Sequence, residues 1–278
     1  MSKRTIAPLI IASLILCLMA NAVLAADGFA APAFDQRWRQ DEQIAPNFWG
    51  PLALAHPGQY EQYAYSNPCQ TSPQEPRPCD LVPAYTRRLV QYFDKGRMEF
   101  NEVPGRAPVT SGLLVREMIS GRMQVGDTAF ETRAPARISV AGDLDNLFPL
   151  YSDLTAPLPP QPLAGGAPVQ TELTPNGPQA AANLPQDAAA AIATTDSATG
   201  FPLPRIFAAY RDQVGVPVIG LAITQPFWVQ VNVAGVQRRV LMQAFERRVL
   251  TYNAANPDPF KVEFGNVGQH YYQWRYGG

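Results

Sequence analysis

The sequence predicts an α+β fold made of two related units, each a small antiparallel sheet of hairpins with a short helix. The first observation is an internal repeat, because residues 91–101 and 243–253 align without a gap at a separation of 152 residues. The second is the alternation of apolar and polar residues around both copies, which is typical of half-buried strands. The third is a Pro/Ala-rich stretch between them, residues 156–200, which contains no aromatic residue.

The two copies agree in residue type as well as in spacing. Equivalent positions carry identical or similar residues at Gln91/Gln243, Phe93/Phe245, Asp94/Glu246, Lys95/Arg247, Met98/Leu250, Phe100/Tyr252 and Asn101/Asn253. After one inserted residue the match resumes, and Val109 and Gly112 correspond to Val262 and Gly265. A duplicated unit of this kind favours a scaffold whose copies bury one another's apolar faces.

Local patterns predict the elements of each unit. In the first copy we expect strands near residues 89–93 and 97–100 and a helix over 113–120 that ends at Gly121. In the second copy we expect a helix over 204–213, strands over 228–233 and 240–252 with turns at 234–235 and 246–248, a strand over 262–264, and a terminal helix from about Asn266.

The domain boundaries follow from changes in composition. Residues 1–25 read as a secretory signal peptide, residues 26–155 as the first unit and residues 201–278 as the second. The stretch over 156–200 buries too little apolar surface to offset the entropy of ordering it, so we expect a disordered linker. Its alanine-rich part, residues 187–193, is the one place in it where a brief helix is considered.

The first residues of the chain indicate where the protein is located, and its net charge indicates which partners it can bind. Lys3 and Arg4 precede an apolar stretch over 6–20 that is too short for a convincing membrane span, so we expect an extracellular or cell-surface protein with no span after cleavage. Cleavage would reduce the 22 basic residues to 20 against 23 acidic ones, a net charge of −3. This slightly acidic balance does not indicate the basic surface that binds nucleic acid or anionic lipid, so we expect neither partner.

Cys69 and Cys79 bracket a polar, proline-rich loop in the first unit. Outside the cytoplasm such a pair favours a disulfide that constrains the loop. Zinc binding would need two further ligands, and the nearest candidate, His56, stands in a turn-like sequence that indicates no particular geometry. We therefore predict a disulfide and no metal site.

The sequence offers no strong catalytic constellation, and we assign neither a catalytic residue nor a cofactor. His56 and His270 are its only histidines, and no Gly-x-Ser-x-Gly nucleophile motif is present. Paired carboxylates could indicate a glycosidase, and the available pairs are Asp94 with Glu99 and Glu246 with Glu263. Asp94 and Glu246 stand beside basic residues at predicted turns, where solvated or mutually paired charges are the usual arrangement.

A cluster of aromatic and basic residues near the C terminus suggests a ligand surface. The candidate ligand-binding residues are Tyr252, His270, Tyr272, Trp274, Arg275 and Tyr276. Aromatic faces with polar rims suit sugar rings, because CH groups stack on the ring face while polar side chains bond the hydroxyls. The competing interpretation is that these residues pack internally and hold the fold together.

The blocks over 91–99 and 245–276 resemble a set of uncharacterised secreted proteins of Chloroflexus-like bacteria. More distantly, Gly215-Val-Pro217, Phe245 and Trp274 are placed as in LGFP repeats, which are associated with bacterial cell envelopes. That resemblance implies envelope or glycan association without catalysis. One position departs from it, because Gly96 of the first copy is Arg248 in the second, which argues against a shared glycine turn and a shared ligand surface.

Together these observations predict an exported, non-enzymatic, cell-surface or envelope-associated module, with cell-wall polysaccharide or another surface protein as the candidate partner. One alternative is an extracellular glycan hydrolase that uses carboxylates such as Asp94 or Glu246. A deep cleft with two facing acids would favour it. The other alternative is a structural or protein-docking protein, which a flat apolar patch would favour.

Overall fold

The computed structural model describes the chain over residues 28–66, 86–101, 106–143, 147–154 and 160–277. It confirms the α+β class, because helices pack on sheets that are almost entirely antiparallel. The predicted signal peptide and the predicted Cys69–Cys79 disulfide lie outside the described residues.

The first unit has the predicted hairpin and helix. Its elements are α1 (Pro32–Ile44), a 3₁₀ turn (Leu52–Leu54), β1 (Gln59–Gln62), β2 (Arg87–Phe93), β3 (Gly96–Phe100), β4 (Val109–Ser111) and α2 (Leu114–Ser120), followed by a small hairpin of β5 (Arg122–Gln124) and β6 (Phe130–Thr132) and a second 3₁₀ turn (Tyr151–Leu154). The sheet order is β1-β2-β3-β4. Helix α2 ends as expected because Gly121 adopts the left-handed conformation, with φ of 68°.

The second unit repeats this plan. Its elements are α3 (Arg205–Val214), α4 (Val216–Ile219), β11 (Phe227–Val233), β12 (Val236–Ala244), β13 (Val249–Tyr252), β14 (Val262–Phe264) and α5 (Val267–Tyr276). The turn between β11 and β12 lies at Ala234 and Gly235, which have φ of 51° and 72°. Positive φ at both central residues matches the twist of a tight hairpin.

The two sheets share strand order and register. Gln91 lies opposite Met98 in the first hairpin, and the equivalent Gln243 lies opposite Leu250 in the second. Strands β4 and β14 join their hairpins in the same way, offset by the one inserted residue noted in the sequence. The fold is therefore built from two related units, as predicted.

Gln91, one of the repeated residues, is a buried cross-link within the first unit. Its Nε2 donates to the carbonyl oxygens of Gly28 at 2.8 Å and His56 at 3.1 Å. Its Oε1 accepts from the backbone N–H of Ala30 at 2.9 Å. One side chain therefore ties two loops to β2, which explains why a buried amide is needed there.

The second copy keeps the same cross-link with one bond missing. Gln243 Nε2 donates to the carbonyl oxygens of Pro202 at 3.0 Å and Thr224 at 2.9 Å. Its Oε1 has no hydrogen-bond partner among the described residues. Pro202 takes the place of Gly28 as an acceptor, so the position equivalent to Ala30 is Pro204. Proline has no backbone N–H to donate, which explains the missing bond.

The last α-helix of each unit, α2 in the first and α5 in the second, begins on the other unit's hairpin turn. The backbone oxygen of Asp94 accepts from Gly268 at 3.1 Å and from Gln269 at 3.3 Å, at the start of α5. The equivalent oxygen of Glu246 accepts from Arg116 at 3.2 Å, at the start of α2. The otherwise unsatisfied N–H groups of each helix start are thus bonded across the unit boundary.

The hairpin turns of the two units also touch each other. A Cβ built on Gly96 would lie 2.2 Å from Nη1 of Arg248, which is the equivalent residue of the other copy. Equivalent residues in contact lie at the approximate two-fold axis that relates the units, so both cannot be large. This contact accounts for the glycine-to-arginine difference between the copies.

Two apolar cores lie on opposite faces of the sheets. The first core packs Phe34 of α1 and Phe207 of α3 against strand residues of both units, and the second core does the same with Val115 of α2 and Tyr271 of α5. Since each core draws side chains from both units, the units pack into one body and do not fold around separate centres.

The described part of the predicted linker, residues 160–200, is structured, so the expectation of disorder is wrong there. It contains β7 (Thr171–Thr174) and β8 (Gly177–Ala180), which extend the second sheet to the order β14-β13-β12-β11-β7-β8. Leu173 is buried, and the carbonyl oxygen of Val169 accepts from Nε1 of Trp228 at 3.0 Å. The segment needs no aromatic residue of its own because the second unit supplies one.

The alanine-rich part of this segment forms no helix. Residues 187–193 contain a turn that leads into β9 (Ile192–Thr195), which pairs with β10 (Pro202–Pro204). Ile192 is fully buried in the first core, so tertiary packing overrides the helical propensity of alanine.

Replacing Gly268 by alanine tests the docking of α5 on the first hairpin turn. A Cβ there would lie 1.8 Å from the backbone oxygen of Phe93, and real side chains do not approach so closely. We expect Gly268→Ala to lower the free energy of unfolding by about 3 kcal/mol, the upper end of overpacking costs, in denaturant titrations. Gly165→Ala, whose new Cβ meets only an oxygen 3.9 Å away, is the control. Equal midpoints for both variants would contradict the docking.

Candidate functional site

A buried network of charged side chains joins the two units. Its members, called here the Arg97 network, are Glu61, Arg88, Arg97, Glu99, Glu117 and Arg275. All but Arg275 are buried. Three acids and three bases balance, which is the arrangement that buried charges require.

Arg97 lies at the centre of this network and is 1% exposed. Its Nε and Nη2 donate to Oε1 of Glu99 at 3.0 and 2.6 Å, and its Nη1 donates to the Tyr92 hydroxyl at 3.1 Å. Burial raises the pKa of the Glu99 carboxyl, but Arg88 and Arg97 outweigh it and lower that pKa to about 2. Glu99 therefore stays ionised and holds both guanidinium groups in place.

Two of the predicted ligand-binding residues belong to this network or contact it. Arg275 Nη1 lies 3.1 Å from Oε2 of Glu61, and the Tyr276 hydroxyl donates to Oε1 of Glu61 at 2.6 Å. Burial raises the pKa of Glu61, but Arg97 and Arg275 lower it below its ordinary value. These side chains fix the end of α5 to the first unit.

Glu117 links the two helices of the second core. It accepts a hydrogen bond from the Tyr271 hydroxyl, and its Oε2 accepts from the backbone N–H of Gln124 at 3.2 Å. Burial raises the pKa of its carboxyl above the ordinary value, although Arg97 opposes this effect.

Tyr272 and Trp274 also make internal contacts. The Tyr272 ring stacks on His56 with the centroids 3.6 Å apart, and Trp274 Nε1 donates to the carbonyl oxygen of Ala134 at 2.9 Å. The guanidinium of Arg133 lies 5.5 Å from the Trp274 ring centroid. In both cases a half-buried aromatic residue of α5 contacts the first half of the chain.

Tyr252 and His270 are buried at different places. Tyr252 faces the first core, and its hydroxyl donates to Asp187. His270 Nδ1 lies 3.0 Å from the Tyr151 hydroxyl, and burial, helped by Lys95, lowers the pKa of the imidazole to about 4. His270 is therefore neutral at physiological pH.

The carboxylates of the hydrolase alternative are engaged with neighbours. Glu246 accepts from Arg116 Nη1 at 3.0 Å and from the backbone N–H of Leu221 at 3.2 Å. Asp94 is buried, lies 3.5 Å from Lys95 Nζ and packs against Gly50. Both carboxylates support the hairpin turns on which the opposite helix begins.

The first unit carries an open polar cleft of about 310 Å³, the first cleft. It lies over the outer part of β2–β4 and is lined chiefly by Tyr63, Arg88, Glu99, Asn101, Arg106, Thr110, Ser111 and Arg247. The Arg88 guanidinium stacks 3.9 Å from the Tyr63 ring centroid and lies 2.8 Å from Glu99, and Glu99 also accepts from Thr110 at 3.0 Å. The polar groups of this cleft are thus held in fixed positions.

The second unit carries an open cleft of about 350 Å³, the second cleft. Its lining includes Lys95, Asp143, Val231, Arg238, Val240, Thr251, Asn253, Glu263, Asn266 and His270. His270 is the one predicted ligand-binding residue that lines either cleft.

The two clefts occupy equivalent places in the two units. The shared register relates their lining residues as Tyr63/Val231, Arg88/Val240, Glu99/Thr251, Asn101/Asn253, Thr110/Glu263 and Arg247/Lys95. Each cleft also receives one cation from the hairpin turn of the opposite unit, Arg247 in the first and Lys95 in the second. Sequence reasoning missed both clefts, although extending the alignment of the copies to the flanking strands would have placed these residues together.

No protein-family model matches the chain, and no curated protein or solved structure is significantly similar to it. Among the residues that the structure describes, no helix has the length and apolar character needed to cross a membrane. Within the same ranges no group of three or more His, Cys, Asp or Glu side chains is arranged to hold a metal ion.

Glu99 should make the stability of the fold depend on pH. Its pKa is about 2 in the fold and 4.5 ordinarily, so its stabilising effect is complete above 4.5 and is lost as the pH falls through 2. We expect Glu99→Gln to lower the free energy of unfolding at pH 7 by about 3 kcal/mol and to flatten the fall in melting temperature between pH 4.5 and 2.

The control for this measurement is Glu131→Gln, because Glu131 is exposed. Melting temperatures of Glu99→Gln that match those of the wild type and of the control at every pH would show that Glu99 does not hold the network together.

Proposed function

We propose that the chain is an exported, non-enzymatic module of the cell envelope that binds polysaccharide through the first and second clefts. The observation that carries the proposal is the recurrence of an open, polar-rimmed cleft at equivalent positions of the two units. Open clefts with a few fixed polar groups are the usual form of binding sites. The predicted signal peptide and the resemblance to envelope repeats support the location.

The chemistry of the first cleft suits a sugar chain. Its wall carries the Ser111 hydroxyl and the Oδ1 atom of Asn101, which can form hydrogen bonds with sugar hydroxyls. The hydrolase alternative receives less support, because Asp94 and Glu246 are occupied in supporting the turns. We therefore favour binding over bond cleavage.

Blocking each cleft with a large side chain tests the proposal. Ala107 is exposed at the first cleft and Thr251 is half-buried in the second. Retention of the mature chain on isolated bacterial cell wall and mobility in native gels that contain defined polysaccharides would be measured. We expect Ala107→Trp and Thr251→Trp each to weaken binding about tenfold or more.

Ala198→Trp places the same bulk at an exposed position outside both clefts and should bind like the wild type. Failure of the wild-type chain to bind any polymer in the panel would contradict the proposal. Release of reducing ends from a bound polymer would replace it with the hydrolase alternative.

A further inference from the structure

The two clefts differ in charge although they share a position in the fold. The first cleft is lined by three guanidinium groups, Arg88, Arg106 and Arg247, and one carboxylate, Glu99. In the second cleft the cations Lys95 and Arg238 are balanced by Asp143 and Glu263. Arg88 pairs with Glu99, and Arg106 pairs with Asp127 outside the lining, so the walls of the first cleft keep an excess of one positive charge, that of Arg247.

Arg88 is the most firmly placed of these cations. It is 4% exposed, with its guanidinium between the Tyr63 ring and the Glu99 carboxylate. Its Nε has no hydrogen-bond partner among the described residues, although it is buried. Arg88 lines the cleft wall, so part of its guanidinium borders the space that a ligand would occupy.

Arg247 and Arg106 lie at the more exposed parts of the cleft. Arg106 is bonded to Asp127 through both terminal nitrogens, so its charge is largely neutralised. Arg247 is paired less tightly, because its Nη1 lies 3.5 Å from Oε2 of Glu246, compared with 2.9 Å between Arg106 Nη1 and Asp127. The Nε atom of Arg247 has no partner in the described part of the chain. Neither Asp127 nor Glu246 lines the cleft. Arg247 and Arg88 are thus the cations best placed for a ligand.

We propose that the first cleft binds a polysaccharide residue that carries a carboxylate, with Arg247 and Arg88 facing the carboxylate oxygens. A planar guanidinium matches a carboxylate in geometry and charge, and the Ser111 hydroxyl and the Oδ1 atom of Asn101 line the same cleft, where they can bond hydroxyls of the same sugar. This inference rests on the proposed function and adds the chemical class of the ligand.

Polygalacturonate and its methyl ester share one backbone, but only the acid has a free carboxylate. Comparing the affinity of the chain for the two polymers by titration calorimetry therefore measures the contribution of the carboxylate. We expect the wild-type chain to bind polygalacturonate about tenfold more tightly than the ester, with a preference that falls as salt is added. Arg247→Gln should abolish most of the preference, and Arg247→Lys should keep part of it. Arg205→Gln removes an exposed cation outside the clefts and should change nothing.

Equal affinity for the acid and the ester would overturn the inference and leave the proposed function standing. A preference that survives Arg247→Gln in a variant of unchanged melting temperature would also overturn it. So would displacement of polygalacturonate by inorganic phosphate at equal anion concentration, which would indicate a site for small oxyanions. If the wild-type chain does not bind polygalacturonate but binds another polymer of the panel, this inference is overturned and the proposed function is not.

Discussion

The docking of each unit's last α-helix on the other unit's hairpin turn is the constraint on which the rest of the structure depends. The backbone oxygens of Asp94 and Glu246, at equivalent positions, receive the starts of α5 and α2. Because the exchange is reciprocal, the turns must meet, and at their meeting point Gly96 leaves room for Arg248. Burial lowers the pKa of Arg248 to about 9, and its guanidinium lies 4.7 Å from the Trp49 ring centroid. A symmetric pair of units would have to break its symmetry at this one contact.

The same exchange creates the clefts. Each cleft has its floor on one unit and a cation from the turn of the other, so neither cleft is complete in an isolated unit. The Arg97 network strengthens the junction, since Arg275 of the second unit pairs with Glu61 of the first. The shape of the clefts and the packing of the units are therefore linked, and a change that loosens the junction should disturb both clefts together.

The sequence was a good guide wherever local pattern determines structure. Alternation and turn residues located the hairpins, and the gapless repeat predicted that the fold contains two related units. It failed where the stabilising partner comes from far along the chain. Residues 160–200 looked unable to fold because their aromatic partner, Trp228, belongs to the second unit. The buried network around Arg97 and Glu99 was not predicted, because several of the acids and tyrosines around them come from other elements. The C-terminal aromatics looked like a ligand surface, yet Tyr272 and Trp274 contact the first half of the chain.

The pattern of agreement between the copies separates scaffold from site. Residues that hold the shape recur, as the buried Gln91 and Gln243 do, because each ties loops to a strand in a way that few side chains could replace. Residues that line the clefts mostly do not recur, and an arginine–glutamate pair in one copy corresponds to a valine and a threonine in the other. Packing constrains the first group in both units, whereas a cleft wall that faces solvent can change its charge without disturbing the core. Two clefts of one origin can in this way carry different charges on a common scaffold, which is the physical basis for expecting different ligand groups at each.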